Sequence, residues 1–461
     1  MLGGSGFVLA FSLLITIFLA RLLEPKDLGI LMTAEAFIEV FRFFFFFGFN
    51  NSIFKMASVD SEGFEQGLNK AIGNAFLIKT IMLPFIALLV IGCANFFLKD
   101  SFLVELVYAY LAIYVIESYA AIFGIVRRAK GEFKLVSGIL ILNKVLRLAT
   151  IIIVLKYIGG IKELVIAFLL EKIIRIVISY LTTKDLVKPR IDFSTIKELT
   201  KHCFGYAFVD PLQGIQSKVD RLVLNSLLGP ISVAMYSIPS KFVKAIGSIM
   251  ESFTSVFTPN LHGSYQKDPE YFRTIINKSN RFISLTGVIS FFGIYYLADF
   301  IILKTFGEKY SDSLAIANLF AYLALINIIE RPSELVMISL AAHKERAFYK
   351  TLSIVMNIGL SIFLIQRMGL IGCVYATIIA NTIRLFLKLH MSRKEVNNLI
   401  LLKITLPACF LVLFLPYYIV IPAYIIYLMI IKAVKKGDID YIKSLRRTKK
   451  KPELEESDEE D

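Results

Sequence analysis

The chain has 461 residues, 56% of them hydrophobic, with a mean hydropathy of +0.68, against roughly 45–50% apolar residues in soluble domains. The apolar residues come in blocks about as long as a helix needs to cross roughly 30 Å of hydrocarbon, which excludes a soluble globular fold. A formal net charge of +14 would suit nucleic acid on a soluble protein, but no basic face carries interleaved stacking aromatics, so that partner is excluded too.

In chain order the expected spans are 4–23, 28–53, 71–98, 102–125, 135–158, 164–181, 199–228, 231–258, 283–303, 314–341, 352–368, 370–389, 399–415 and 417–434. The expected fold is therefore an all-α polytopic membrane protein of about 14 transmembrane helices. The first block, MLGGSGFVLAFSLL, has no basic leading region and reads as a retained span. The seventh is interrupted by Asp210, Gln213, Gln216, Lys218, Asp220 and Arg221, and the Asp210–Pro211 step is expected to loosen it.

Charge in the connections supports this drawing. The even-numbered connections and the tail hold roughly 30 basic residues, against about 8 in the odd-numbered ones. The alternation runs unbroken, which places both termini in the cytoplasm. The outer connections are too short for a folded domain. Cys93, Cys203, Cys373 and Cys409 stand isolated in apolar runs and read as small hydrophobes.

The two halves of the chain echo each other. Leu19, Leu22, Leu23 and Pro25 align with Leu224, Leu227, Leu228 and Pro230, and Gly160, Val165, Ala167 and Arg175 align with Gly369, Val374, Ala376 and Arg384. Each half has six spans and starts inside, so the repeat is expected to be parallel, with a cavity between two lobes. Residues 1–190 form the first six-helix lobe in this reading and 191–392 the second. Residues 393–434 add two further helices, and 435–461 form a charged cytoplasmic tail too polar to bury a core.

The stretch Ala20 to Gly29, ARLLEPKDLG, resembles the first hairpin of the Wzx-like oligosaccharide-lipid flippases, within the multidrug/oligosaccharidyl-lipid/polysaccharide exporter superfamily. Lys218 to Phe242, Thr258 to Leu261 and Met368 to Arg384 are similar to further stretches of that family, in the expected order. The resemblance implies two six-helix bundles plus two helices, alternating access, and a polyprenyl- or dolichyl-linked saccharide as substrate. In contrast to some multidrug-type relatives, the first span has no acidic residue.

Charged residues inside spans cost roughly 2.5–3.5 kcal/mol each at the bilayer centre and so face protein or water. Helical spacing groups them into stripes. Glu35, Glu39 and Arg42 form one, Asn143, Lys144 and Arg147 another, and Glu171, Lys172 and Arg175 a third. Ser237, Lys241, Lys244, Ser248, Glu251 and Ser255 make a long polar face, followed by Asn327, Glu330, Arg331 and Glu334, then Asn381 and Arg384.

Arg42, Arg147, Lys218, Arg221, Lys241, Lys244, Arg331 and Arg384 are the expected phosphate-binding residues. Glu35, Glu39, Asp210, Asp220, Glu251, Glu330 and Glu334 are the candidates for coupling or ion pairing. Three alternatives stay open at this stage. Lys172, Arg175 and Lys388 can snorkel to headgroups; Glu39 with Arg42, and Glu330 with Arg331, can lock helices; Tyr110, Tyr114 and Glu117 can meet sugars or pack in the bundle. The run Phe43 to Phe47 reads as lipid-facing packing.

The four histidines lack metal spacing, and there is no phosphate-cradling glycine loop and no serine–histidine arrangement. No cofactor and no enzymatic activity are expected. The sequence points to a plasma-membrane flippase moving a lipid-linked oligosaccharide outward. Membrane lipids and glycan-synthesis enzymes are its further partners, and a drug/cation antiporter is the alternative.

Overall fold

A computed structural model describes residues 2–59, 63–207, 212–254, 261, 265, 268–396 and 398–431. Among these residues the protein is all-helical. The helices are α1 (Leu2–Leu22), α2 (Pro25–Val40), α3 (Arg42–Phe46), α4 (Phe49–Val59), α5 (Phe64–Phe97), α6 (Ser101–Ala129), α7 (Phe133–Ile153) and α8 (Ile161–Leu181). They continue as α9 (Phe193–Ala207), α10 (Leu212–Leu228), α11 (Pro230–Thr254), α12 (Pro269–Ile301), α13 (Leu314–Ile329) and α14 (Arg331–Ser339). The last four are α15 (His343–Met368), α16 (Leu370–Ser392), α17 (Asn398–Phe414) and α18 (Tyr417–Ile430). The tail expected to be disordered lies outside the described residues, as does the Asp210–Pro211 step.

Among the described residues seven helical segments are long and apolar enough to cross a membrane, at 64–97, 101–129, 133–158, 269–306, 308–339, 344–368 and 370–392. Shorter apolar helices run over 7–22, 401–412 and 418–430. The other expected spans are those that carry the charge stripes in α2, α8, α10 and α11. Most charged side chains of these stripes are buried or half-buried, because lipid offers charge no compensation, whereas Lys244 and Glu251 of α11 are exposed. The chain is a multi-pass membrane protein.

The chain divides into two compact units. The first comprises 1–245, 297–320 and 343–384, and the second comprises 246–296, 321–342 and 385–461. Within the first, α6 packs on α8 and α2, α1 on α7, and α10 on both α2 and α15. Within the second, α17 packs on α18, and Tyr424 Oη donates to the Ile404 carbonyl at 2.5 Å.

The expected second span is broken. Phe41 ends α2, and Phe47 stands at φ 36°, a left-handed conformation rare for a bulky residue. The phenylalanine run therefore turns within the first unit instead of facing lipid along its length. Phe45 and Phe47 are buried, and Phe44 is exposed.

Two close approaches fix the first unit. Gly29 of α2 lies against the start of α11, where a Cβ would stand 1.8 Å from the Pro230 carbonyl oxygen. Gly73 of α5 similarly leaves room for the Arg190 carbonyl. Beside Gly73, the buried Asn74 accepts from Asp192 N at 2.9 Å and donates to the Asp192 carbonyl at 2.8 Å, pinning the 182–192 connection to α5. Asp192 then caps α9 by accepting from Ser194 N at 3.0 Å, and the Ser194 hydrogen bonds hold its carboxyl below the ordinary carboxylate value.

Gly29→Ala puts a methyl group against a backbone carbonyl that cannot rotate away. The expected loss is roughly 1–3 kcal/mol, seen as a lower unfolding temperature of the full chain in detergent. An unchanged melting curve would show that the α2–α11 corner is looser than the structure has it.

Candidate functional site

The charge stripes meet in the first unit. α10 carries polar residues on two adjacent faces: Gln216 and Asp220 at i, i+4 spacing, and Lys218 and Arg221 at i, i+3. Each set finds a different environment.

Lys218 Nζ pairs with Glu39 Oε2 of α2, a link between the two packed helices. Glu39 Oε1 is also 3.9 Å from Arg42 Nη1, just past the break at Phe41. One turn earlier on α2, Glu35 feels four cations at once: Lys218 and Arg221 from α10, and Lys241 and Lys244 from α11. Lys144 of α7 acts on the same carboxylate. Arg221 is 4% exposed, and its Nε has no hydrogen-bond partner among the described residues. Basic groups outnumber carboxylates here, and a guanidinium N–H is left for an acceptor that the described residues do not supply.

Asp220 takes the other face. Its carboxylate accepts from Tyr236 Oη at 2.6 Å, from Asn357 Nδ2 and from Thr377 Oγ1 at 3.4 Å. Asn357 Oδ1 and Ser361 Oγ are buried without hydrogen-bond partners among the described residues. This oxygen-rich group has the chemistry to hold a proton or a small monovalent cation. No group of three or more His, Cys, Asp or Glu able to hold a metal occurs among the described residues.

A second ion network ties α6, α7 and α8. Arg147 Nε lies 2.5 Å from Glu171 Oε2, an ion pair without hydrogen-bond geometry, and its guanidinium carbon sits 3.7 Å from the Phe168 ring centroid. Glu117 Oε2 is 2.7 Å from Lys172 Nζ, and its other oxygen pairs with Arg175. Arg147 is thus compensated and is a weaker phosphate candidate than Arg221 or Lys241. Lys172 and Arg175 do not snorkel, because Glu117 holds both. Tyr110 and Tyr114 are buried, Tyr114 against Phe45 with ring centroids 5.7 Å apart.

The remaining expected residues lie elsewhere. Arg384 is buried and donates to Gln216 Oε1 at 3.3 Å and Ser353 Oγ at 3.4 Å, while Gln216 donates to Asn381 Oδ1 at 3.0 Å. In the second unit, Lys388 pairs with both Glu330 and Glu334, replacing the snorkelling expected of it. Arg331 opens α14, and Glu251 is exposed on α11. Asp210 lies outside the described residues.

Sequence reasoning missed Lys79. This α5 lysine is 3% exposed, donates to the Ser118 carbonyl at 2.6 Å, and lies 5.3 Å from the Phe49 ring centroid. Its signal was a lone ammonium inside the apolar run of the third span.

Residues 18–315 match the family described as polysaccharide biosynthesis protein. The chain belongs to that family. The fold is found in solved structures as well. The lipid II flippase MurJ in an inward closed conformation matches with a TM-score of 0.75 at 17% identity, covering 95% of this chain and 98% of that one. An inward-facing multidrug resistance MATE family transporter of the MOP superfamily matches with a TM-score of 0.69 at 15% identity, over 83% of this chain and 93% of that one. An outward-facing one gives 0.59 at 13% identity, over 85% and 95%. No curated protein matches the chain significantly. The polysaccharide biosynthesis family match covers α2, α10 and α11, which carry Glu35, Glu39 and their cations.

Lys388→Met leaves Glu330 and Glu334 without the ammonium that joins them. Removing one partner of a buried pair costs about 3–5 kcal/mol, so the variant is expected to melt well below the wild type. Adding Glu330→Gln should recover part of the loss, and equal stability of Lys388→Met and wild type would count against the triad.

Proposed function

We infer that the protein is a flippase that carries a polyprenyl- or dolichyl-linked (pyro)phosphate oligosaccharide across the plasma membrane for cell-surface glycan synthesis. The observation that carries this reading is the group of four cations, Lys218, Arg221, Lys241 and Lys244, that act on the Glu35 carboxylate, with Arg221 Nε making no hydrogen bond among the described residues. In a medium of low dielectric, ammonium and guanidinium groups attract a phosphate far more strongly than in water. The saccharide and phosphates occupy this polar region while the isoprenoid tail stays in lipid. The protein binds and moves its substrate without covalent chemistry. Arg331 and Arg384 serve the same headgroup in other conformations of the cycle.

The proposed cycle is alternating access between two parallel six-helix lobes, 1–190 and 191–392, with both termini cytoplasmic. Support for the repeat comes from the ends of the fourth and tenth expected spans. Glu132 N donates to the Arg127 carbonyl at 2.9 Å around left-handed Gly131, and Ala342 N donates to the Met337 carbonyl at 2.9 Å around left-handed Ala341. Both are the same helix-terminating motif at equivalent places in the two halves.

The membrane potential favours outward movement of an anion. About 2.3 kcal/mol per charge per 100 mV gives a dianion roughly 4–5 kcal/mol if it crosses the whole field. Asp220, with its ring of oxygens, is the proposed site where a coupling proton or monovalent cation adds to this drive.

Replacing Arg221, Lys241 and Lys244 singly with Ala is expected to slow flipping of a fluorescent lipid-linked oligosaccharide in vesicles. Losing one charged hydrogen bond predicts about a 10- to 100-fold loss. Full activity in all three variants rejects the site. The MATE-like fold favours a second reading, a drug/cation antiporter, which requires that the chain confer efflux of cationic dyes. The basic excess around Glu35 disfavours it.

A further inference from the structure

The pair between Glu39 and Lys218 has a property that the flippase reading leaves unused: it has a second position already built. Glu39 ends α2, and its carboxylate lies between two cations, the Lys218 ammonium of α10 and the Arg42 guanidinium three residues further along its own chain. Lys218 is 7% exposed, whereas the Arg42 side chain is 55% exposed. One cation is thus an interior group on a neighbouring helix, and the other is a solvated group on the same strand of chain.

We propose that Glu39 is an internal stand-in for the substrate's phosphate, bound to Lys218 when no substrate is present and handed over to Arg42 when a diphosphate takes its place. This rests on the flippase reading of the site and says how binding there is converted into movement. Opening the pair without a substitute strands a buried ammonium and is strongly unfavourable. A diphosphate entering beside Arg221, Lys241 and Lys244 supplies that substitute. Arg42, already 3.9 Å away, is there to receive the Glu39 carboxylate. No proton moves and no bond other than the ion pair changes.

The exchange removes the charged link between α2 and α10, two helices packed directly on each other. The empty protein keeps the link and the loaded protein releases it, so separating α2 from α10 costs less once the anion is bound. The break at Phe41 and the left-handed Phe47 follow immediately after Glu39, so α2 can shift without carrying α4 with it.

The test uses the full-length protein in detergent, with farnesyl diphosphate as the probe and calorimetry as the readout. Glu39→Gln is nearly isosteric and removes the competing anion, so the probe should bind at least about 5-fold tighter. Lys218→Gln should bind at least about 10-fold more weakly. The two changes should be non-additive, with Glu39→Gln giving no gain once Lys218 is gone. Arg42→Gln should weaken binding, because Glu39 then has no cation to receive it.

A static helix lock predicts the reverse for Glu39→Gln: equal or weaker binding. That outcome, with Arg221→Ala and Lys241→Ala still weakening binding, overturns the exchange and leaves the flippase site standing. If Arg221→Ala and Lys241→Ala bind the probe as the wild type does, the site reading fails and the exchange falls with it.

A second measurement does not depend on the Glu39 variant folding. Nitroxides are placed at Val40→Cys on α2 and Val219→Cys on α10, half-buried positions beside the Glu39–Lys218 pair, after replacing the native cysteines. Their distance distribution should lengthen or broaden on saturation with farnesyl diphosphate. An unchanged distribution overturns the proposal.

Discussion

Charge within a hydrocarbon layer has to be answered by something other than lipid, and the organisation of this protein follows from how each charge is answered. An unpaired ion at membrane depth is costly enough to decide which way a helix faces. The stripes on α2, α8 and α10 therefore turn toward protein, while α5, α7, α17 and α18 present residues such as Phe85, Leu142, Phe410 and Ile426 outward. Where every cation is held by a carboxylate, the result is a brace. Where cations are in excess, the result is a place for an anion from outside.

Both outcomes occur in the first unit. Arg147 with Glu171, and Glu117 with Lys172 and Arg175, tie α6, α7 and α8 together. Around Glu35 four cations, Lys218, Arg221, Lys241 and Lys244, act on its carboxylate, and Glu39 pairs with Lys218 as well. Asp220 stands beside Arg221 on the same helix and is hydrogen-bonded by the neutral donors Tyr236, Asn357 and Thr377. Neighbouring faces of α10 thus carry a basic surface and an oxygen-rich one.

What the sequence disclosed follows from the range of the physics involved. Hydropathy and helical spacing are local, so the all-helical multi-pass class and the stripes on α2, α10 and α11 were legible. Which stripe faces which was not, because the partners are far apart in sequence: Glu39 with Lys218, Glu117 with Lys172, Glu330 with Lys388. Snorkelling was a fair expectation for Lys172 and Lys388 only while their carboxylates were unknown. The Phe41 break was hidden because no glycine or proline lies between Glu39 and Phe47, whereas Gly48, at φ 70°, marked the one at Phe47. Lys79 was readable as an anomaly, but its Ser118 carbonyl partner was not.

On the flippase reading the empty carrier still has to return, so the link between α2 and α10 must hold without being permanent. A pair that is too stable holds the helices permanently, and a cation without a partner makes the empty state costly. A carboxylate that can be displaced onto a neighbouring arginine meets both demands, since every charge keeps a counter-ion before and after the exchange. Glu39 has that placement between Lys218 and Arg42, and the ionic braces on α6, α7 and α8 can stay intact while the link changes hands. On the proposed exchange, specificity comes from valence: a neutral or cationic headgroup cannot take the place of Glu39 on Lys218, whereas a diphosphate can satisfy Lys218 and Arg221 together.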